Sequence, residues 1–307
     1  MKKINCIFFW TPGLSANILR YLHTQSESLN IVAVVTNPDK PAGRGHELMR
    51  SPVWQYATEN ALPLLQPEKV RNNPEFLDTI KNLKPDICIV VAYGKILPQE
   101  LLDIPSMGFL NVHTSLLPKY RGAAPIQHAL LNGEKVTGLT VQQMSLGMDE
   151  GNILTQESWE VLPADTTGLL FERTANRGGP LLETTIQWLC DETLNPIPQK
   201  HEEATYTKMI EKKDGELQPG WEIDRAYHAW QAYTPWPGLF YTFRNIRTTL
   251  IEVERGNTSN HNLGIWIIHE NLPAIVLSGW LLIVKKIHPA GKKPMSGEEF
   301  VRGFMQI

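Results

Sequence analysis

The chain has 307 residues, enough for two domains, with 42% hydrophobic and 20% charged residues, which excludes a disordered or low-complexity chain. A net charge of −3 and a pI of about 6.3 exclude a uniformly basic nucleic-acid binder, although a local basic stripe can sit inside an acidic total. No apolar run is long enough to span a bilayer. The three cysteines, Cys6, Cys88 and Cys190, are odd in number and outside any metal-binding spacing, which points to free thiols in a reducing, cytoplasmic setting.

Taken in order, residues 4–10 form the first apolar run. Two lysines precede it, but the run is short and ends at Thr11-Pro12-Gly13 without a small-residue cleavage pattern, so it reads as a buried strand rather than a signal sequence. A helix is expected over 14–22 and a β-branched strand over 31–35. Residues 51–60 read as a helix, with Ser51 able to cap it and Pro52 in its first turn. A third helix surrounds Pro74. Strands are expected at 87–91 and 109–113, a helix at 127–131, and later strands at 138–144 and 153–161.

Apolar strands alternating with helices imply a mostly parallel sheet covered on both faces, a Rossmann-like doubly wound α/β domain. Ligands of such sheets bind at the carboxyl ends of the strands, so the functional loops should follow Val35, Val91 and Val112. A long helix over 165–189, capped by Asp165 with Thr166, closes this part. The expected division is a first domain at 1–190, a proline-bearing linker at 191–204 and a second domain at 205–307. In the last, a helix over 224–230 precedes five short alternating strands, which suggests a small OB-like β-barrel.

The stretch densest in chemistry is Asn111-Val112-His113-Thr114-Ser115-Leu116-Leu117-Pro118-Lys119-Tyr120-Arg121-Gly122. Asn111 and His113 stand two apart at a strand end and so share one face. An amide and an imidazole on one face can both act on one carbonyl oxygen as its carbon turns tetrahedral. Asp149, in Leu146-Gly147-Met148-Asp149-Glu150-Gly151, is a carboxylate in a glycine-bounded loop, able to support an imidazole or to accept a proton. On spacing alone, a satisfied polar cluster and a turn-forming aspartate are the commoner explanation of these residues. There is no GxGxxG after the first strand, no GxxxxGK[ST] and no GxSxG, so dinucleotide, P-loop and hydrolase-elbow readings fail.

The string NVHTSLLPKYRGAAPIQHAL resembles the signature of the folate-dependent formyltransferases, and LGMDEG resembles the loop that carries that family's catalytic aspartate. The resemblance implies Asn111, His113 and Asp149 as catalytic residues and 10-formyltetrahydrofolate as formyl donor, with no metal. It places Ser115, Leu116, Leu117 and Pro118 along the folate site. Val91, Ala92, Tyr93, Gly94, Ile96 and Leu97 look like the loop around the pterin ring, where a planar ring suits an apolar slot edged by backbone groups.

Residues 37–48, with Lys40 and Arg44 in PDKPAGRG, are similar to the loop of the branch whose acceptor is initiator methionyl-tRNA. TYTKM, TPWPG and HPAGKKPMSG resemble the second domain of that branch. Lys285, Lys286, Lys292 and Lys293 are the expected phosphate contacts there. A monomer is expected. Two other readings stand beside this one: an amino-sugar nucleotide N-formyltransferase, which predicts no PAGRG loop, and a catalytically silent RNA-binding protein. Departures from the family pattern are Gly13-Leu14-Ser15 after the first strand and Thr114 beside His113.

Overall fold

The structure is a computed structural model that describes residues 3–10, 15–42 and 47–306, with 40–42 and 47–49 described by backbone alone. Contacts divide the chain into two compact units. The first comprises Met1–Gly122, Val136–Trp159 and Phe171–Tyr206, and the second Ala123–Lys135, Glu160–Leu170 and Thr207–Ile307.

The main sheet of the first unit is built from seven strands: β1 (Ile4–Trp10), β2 (Leu29–Thr36), β3 (Leu64–Leu65), β4 (Ile87–Val91), β5 (Phe109–His113), β6 (Val136–Gln143) and β7 (Ile153–Glu160). They form one sheet in the order β7-β6-β5-β4-β1-β2-β3. The pairs from β5 through β3 are parallel, and β6 runs antiparallel to β5. Every residue from Cys6 to Trp10 is fully buried, because the strand is covered on both faces. Cys6, Phe8 and Trp10 enter one core with Ile18, Leu19 and Leu22 of α1 (Ser15–Gln25) and Val53, Tyr56 and Ala57 of α2 (Pro52–Glu59). Ile7 and Phe9 enter the opposite core with Phe76, Leu77 and Ile80 of α3 (Pro74–Asn82) and Leu101 of α4 (Gln99–Leu102). The period-two alternation of β1 is thus what makes the sheet doubly wound. Both Cys6 and Cys88 are buried free thiols, and burial pushes both up in pKa.

Local signals act where the sequence places them. Ser51 Oγ accepts from the Trp54 N–H at 3.1 Å, with Pro52 in the first turn of α2. Helix α5 (Pro125–Leu131) and helix α6 (Thr167–Cys190) follow later in the chain. α6 is continuous through Gly178-Gly179-Pro180. The two glycines leave room for Ile18 and Tyr21 of α1, whose side chains a Cβ there would strike.

The second unit contains α5, α7 (Ile223–Tyr233) and an antiparallel sheet of β8 (Phe240–Phe243), β9 (Ile246–Thr258), β10 (Trp266–His269), β11 (Leu272–Val276) and β12 (Trp280–Pro289), in the order β8-β9-β12-β11-β10. A short β13 (Met295–Ser296) adds to β12, ahead of α8 (Gly297–Phe300). β9 loses register with β12 near Glu252 and after Arg255, and such bulges bend a strand. The result is an antiparallel half-barrel, in keeping with the small OB-like β-barrel that the run of short alternating strands predicts. Its centre holds Ala274, Val276, Leu281 and Ile283. Among the described residues no helix is long and apolar enough to cross a membrane.

Candidate active site

The parallel strands β4 and β5 end at one edge of the sheet, and the site grows from the end of β5. Asn111 and His113 project to one face of that strand. Across the antiparallel partner β6, Asn111 stands opposite Gln142, and His113 stands opposite Thr140. Both β6 side chains are buried although polar.

Asp149 reaches this face from the β6–β7 connection, whose ends meet through Gln143 N–H donating to the Asn152 carbonyl at 2.9 Å. Its carboxylate is held from three directions. Oδ1 accepts from Asn111 Nδ2 at 3.2 Å and from Gln142 Nε2 at 2.9 Å, and Oδ2 accepts from the Gly122 N–H at 2.8 Å. His113 Nδ1 approaches Oδ2 at 3.6 Å. On its other side, His113 Nε2 donates to the Tyr120 carbonyl at 2.8 Å, which fixes that ring proton because a carbonyl only accepts. His113 is buried and Asn111 partly exposed. Asp149 has a φ of 50°, the left-handed region that aspartate tolerates better than most residues. Two residues on, a Cβ at Gly151 would collide with the Gln143 carbonyl oxygen, so the loop needs glycine there.

The turn after His113 is equally determined. Ser115 Oγ donates to the Lys119 carbonyl at 2.7 Å. Thr140 Oγ1 donates to the Ser115 carbonyl at 2.7 Å and accepts from the Leu117 N–H at 3.1 Å. Gln156 Nε2 donates to both Thr140 Oγ1 and the Leu117 carbonyl at 2.9 Å. Ser115 and Leu117 are buried, while Leu116 and Pro118 remain partly exposed.

The loop after β4 alternates in the same way. Val91, Tyr93 and Leu97 point into the core, where Tyr93 packs edge-on against Phe9, and burial pushes the Tyr93 phenol up to about 12. Ala92 and Gly94, both with positive φ, are exposed, and Ile96 is 68% exposed. Nothing lies within 4 Å of where a Gly94 Cβ would be. Lys95 Nζ anchors this loop on the carbonyls of Pro67 and Glu68, at 2.8 and 3.1 Å. The open surface is therefore backbone at 92 and 94 plus the Ile96 side chain. At its base, the Ser15 hydroxyl donates to the Val91 carbonyl at 3.3 Å.

A family described as formyl transferase matches residues 2–186, and one described as formyl transferase, C-terminal domain, matches residues 209–305. The chain belongs to the formyl transferase family. A methionyl-tRNA formyltransferase of Francisella tularensis is 39% identical over 313 residues, covering 99% of this chain and 96% of that relative. Among solved structures, a methionyl-tRNA formyltransferase from Clostridium thermocellum is similar with a TM-score of 0.56 at 16% identity, covering 85% of this chain and 96% of that one. An N-formyltransferase from Helicobacter canadensis, in complex with folinic acid and dTDP-3-aminofucose, is similar with a TM-score of 0.65 at 19% identity, covering 92% of this chain and 99% of that one. At those identities the two structures speak to the fold of a formyl transferase and not to its acceptor.

The residues expected at nucleic acid are distributed differently in this formyl transferase. The Lys40 side chain and Arg44 lie outside the described residues, as do Gly13 and Leu14. The base of the 37–49 stretch is described: Gln66 Nε2 donates to the Asn37 carbonyl and to Asp39 Oδ1, both at 3.1 Å. Lys285 Nζ pairs with Glu254 at 2.7 Å, and Lys286 stands in register with Glu252 across β9. Lys292 and Lys293 lie exposed in the turn after β12. The four lysines are thus two acid-matched residues on a strand and two open ones on a turn.

Sequence reasoning missed Gln142, Thr140, Gln156 and Gln199. The first two carried a signal: in Leu139-Thr140-Val141-Gln142 polar side chains alternate with apolar ones, and the polar face of a sheet-interior strand marks a site. Gln199 lies in the proline-bearing segment and carried none.

Proposed function

We propose that this protein transfers the formyl group of 10-formyltetrahydrofolate to the α-amine of methionyl-tRNA, giving N-formylmethionyl-tRNA and tetrahydrofolate. The observation that carries the acceptor is the likeness to methionyl-tRNA formyltransferases along nearly the whole of both chains. What supports the chemistry is the meeting of Asn111, His113 and Asp149 on one face at the sheet edge.

The amine lone pair attacks the formyl carbon, and the carbonyl π pair moves onto oxygen. Asn111 has two amide N–H bonds, and the Asp149 contact uses one, which leaves the other for the developing oxyanion. His113 donates to the same oxygen through its Nε2–H, which exchanges the Tyr120 carbonyl for the developing oxyanion. Asp149, whose carboxylate is already fixed by Gly122 and Gln142, accepts the proton that the nitrogen sheds on forming its new bond. Collapse of the tetrahedral carbon breaks its bond to N10, and the proton passes to that nitrogen as tetrahydrofolate leaves. Neither step asks for a metal ion. We assign the folate ring system to the open surface at Ala92, Gly94 and Ile96, with Leu116 and Pro118, which are partly exposed, as further contacts. Val91, Tyr93, Leu97, Ser115 and Leu117 shape that surface from behind.

We assign catalysis to residues 1–190 and tRNA contact to residues 205–307 with the Lys40–Arg44 segment. The protein acts as a cytoplasmic monomer in this reading. Incubating it with 10-formyltetrahydrofolate and either methionyl-tRNA or a panel of amino-sugar nucleotides tests the assignment. Formylated methionyl-tRNA is the expected product. Turnover of a sugar nucleotide with no product on tRNA would move the protein to the other branch of the family.

A further inference from the structure

We infer that Gln199 is a positioning residue for Asp149, and that the buried Arg121 guanidinium locks the Gln199 amide in the orientation this requires. The inference rests on the reading above that Asp149 handles the proton of the attacking amine. It begins with a fully buried arginine: Arg121 is 0% exposed and Gln199 is 6% exposed. Arg121 Nε and Nη2 donate to Gln199 Oε1 at 3.0 and 2.8 Å. Arg121 Nη1 meets His201 Nδ1 at 3.3 Å and the Tyr206 hydroxyl at 3.1 Å. Gln199 Nε2 in turn donates to the backbone carbonyls of Asp149 at 2.9 Å and Gly151 at 2.7 Å.

The amide therefore has its oxygen against two guanidinium donors and its nitrogen against two carbonyl acceptors. All four of its hydrogen-bonding positions are filled, and a flip would set donors against donors and acceptors against acceptors. Paired antiparallel bonds between Ile153 and Ile197, both at 2.8 Å, bring the segment alongside the loop so that Gln199 can reach it.

The target is the backbone of the proposed proton acceptor itself. Asp149 has a left-handed backbone, a conformation that persists where the surroundings over-determine it. Its main chain is held by Gln199, and its carboxylate is held by the N–H of Gly122, the residue after Arg121. Backbone and carboxylate are thus both referred to one buried cation. Closing the loop by apolar packing would leave the carboxylate free to rotate away from the imidazole. Gln199 touches no reacting atom, so its effect reaches the chemistry only through where Asp149 sits.

Gln199→Glu separates the two halves of the clamp. A carboxylate still accepts from Arg121 but cannot donate to the Asp149 and Gly151 carbonyls. In the full-length protein we expect Q199E to stay folded with a lowered Tm, because a carboxylate oxygen then faces two carbonyl oxygens, and kcat on methionyl-tRNA to fall about 30-fold, in line with the cost of a small misplacement of a catalytic group. KM for tRNA and for the formyl donor should stay within about twofold, since Gln199 binds neither substrate. The Gly122 amide proton, which donates to Asp149, should move upfield in the proton–nitrogen spectrum.

Gln199→Met, which abandons Arg121 as well but sets no charge against the carbonyls, should also lower Tm, with the same kcat loss in its folded fraction. A Q199E variant whose kcat stays within about threefold of wild type would overturn the inference. So would a fall in kcat with the Gly122 resonance unmoved, or a change confined to KM. Wild-type protein in the same assay keeps the two claims apart: no formylation of methionyl-tRNA by wild type sinks the proposed function, while the Gly122 resonance judges the clamp without reference to acceptor.

Discussion

The loop that carries Asp149 and the strand and turn that carry Lys285 to Lys293 are both charged, and they are built on opposite plans. Around Asp149 each polar group has several partners: the carboxylate accepts three hydrogen bonds, and its own carbonyl accepts another from a buried amide. On the second unit, Lys285 pairs with Glu254 and Lys286 stands in register with Glu252, while Lys292 and Lys293 extend from a turn into solvent. Under the proposed function the contrast follows from the role assigned to each region. A tetrahedral intermediate needs charge at fixed positions, and a preorganised site supplies it without reorganising. A phosphate backbone offers charge at a regular repeat, which mobile ammonium groups can follow without a fixed geometry.

That contrast is open to test by breaking each side. The largest effect is expected from His113→Ala, which should lower kcat by about 1,000-fold, within the range for losing an acid–base group, with tRNA affinity kept. Single-turnover formylation with excess enzyme reads this directly. A smaller loss is expected from Gln142→Leu. It removes one charge-assisted hydrogen bond to Asp149 of the kind worth about 1.5–3 kcal/mol, so kcat should fall about 10- to 100-fold while both KM values hold. The smallest effects belong to the second unit. The double change Lys292→Ala with Lys293→Ala should raise KM for tRNA several-fold and reduce the slope of log affinity against log salt by about 1 to 2, leaving kcat alone. Lys285→Ala should change neither, because its ammonium is already engaged by Glu254. A salt slope that fell equally for Lys285→Ala and for the turn lysines would erase the distinction drawn between them.

How legible was this in the sequence? The strands at Ile87–Val91 and Phe109–His113 emerge with the boundaries read from their apolar runs, because buried parallel strands need no alternation. Asn111 and His113 were legible as a pair for the same reason: two residues apart on a strand is one face. The cap at Ser51 was legible because its partners are three residues away. Asp165 is different. Expected to cap α6, it instead accepts from the Leu162 N–H at 2.8 Å, and Thr166 Oγ1 takes the Leu169 N–H at 3.5 Å.

Gln199 was out of reach altogether. Its partners stand 50 and 78 residues away in the chain, and nothing in a proline-bearing segment announces a buried amide. The composition of the second unit was also hidden, because the short helix α5 is recruited to it from the middle of the catalytic stretch by contacts with no local sequence signal.

The measurement that bears most directly on this account is the single-turnover formylation rate of Asp149→Ala, taken with its dissociation constant for methionyl-tRNA. Loss of about three orders of magnitude in rate with affinity within about twofold is the predicted result, because the carboxylate acts on the proton and not on the tRNA. A variant that keeps its rate, or that loses rate only in proportion to lost tRNA binding, would contradict it.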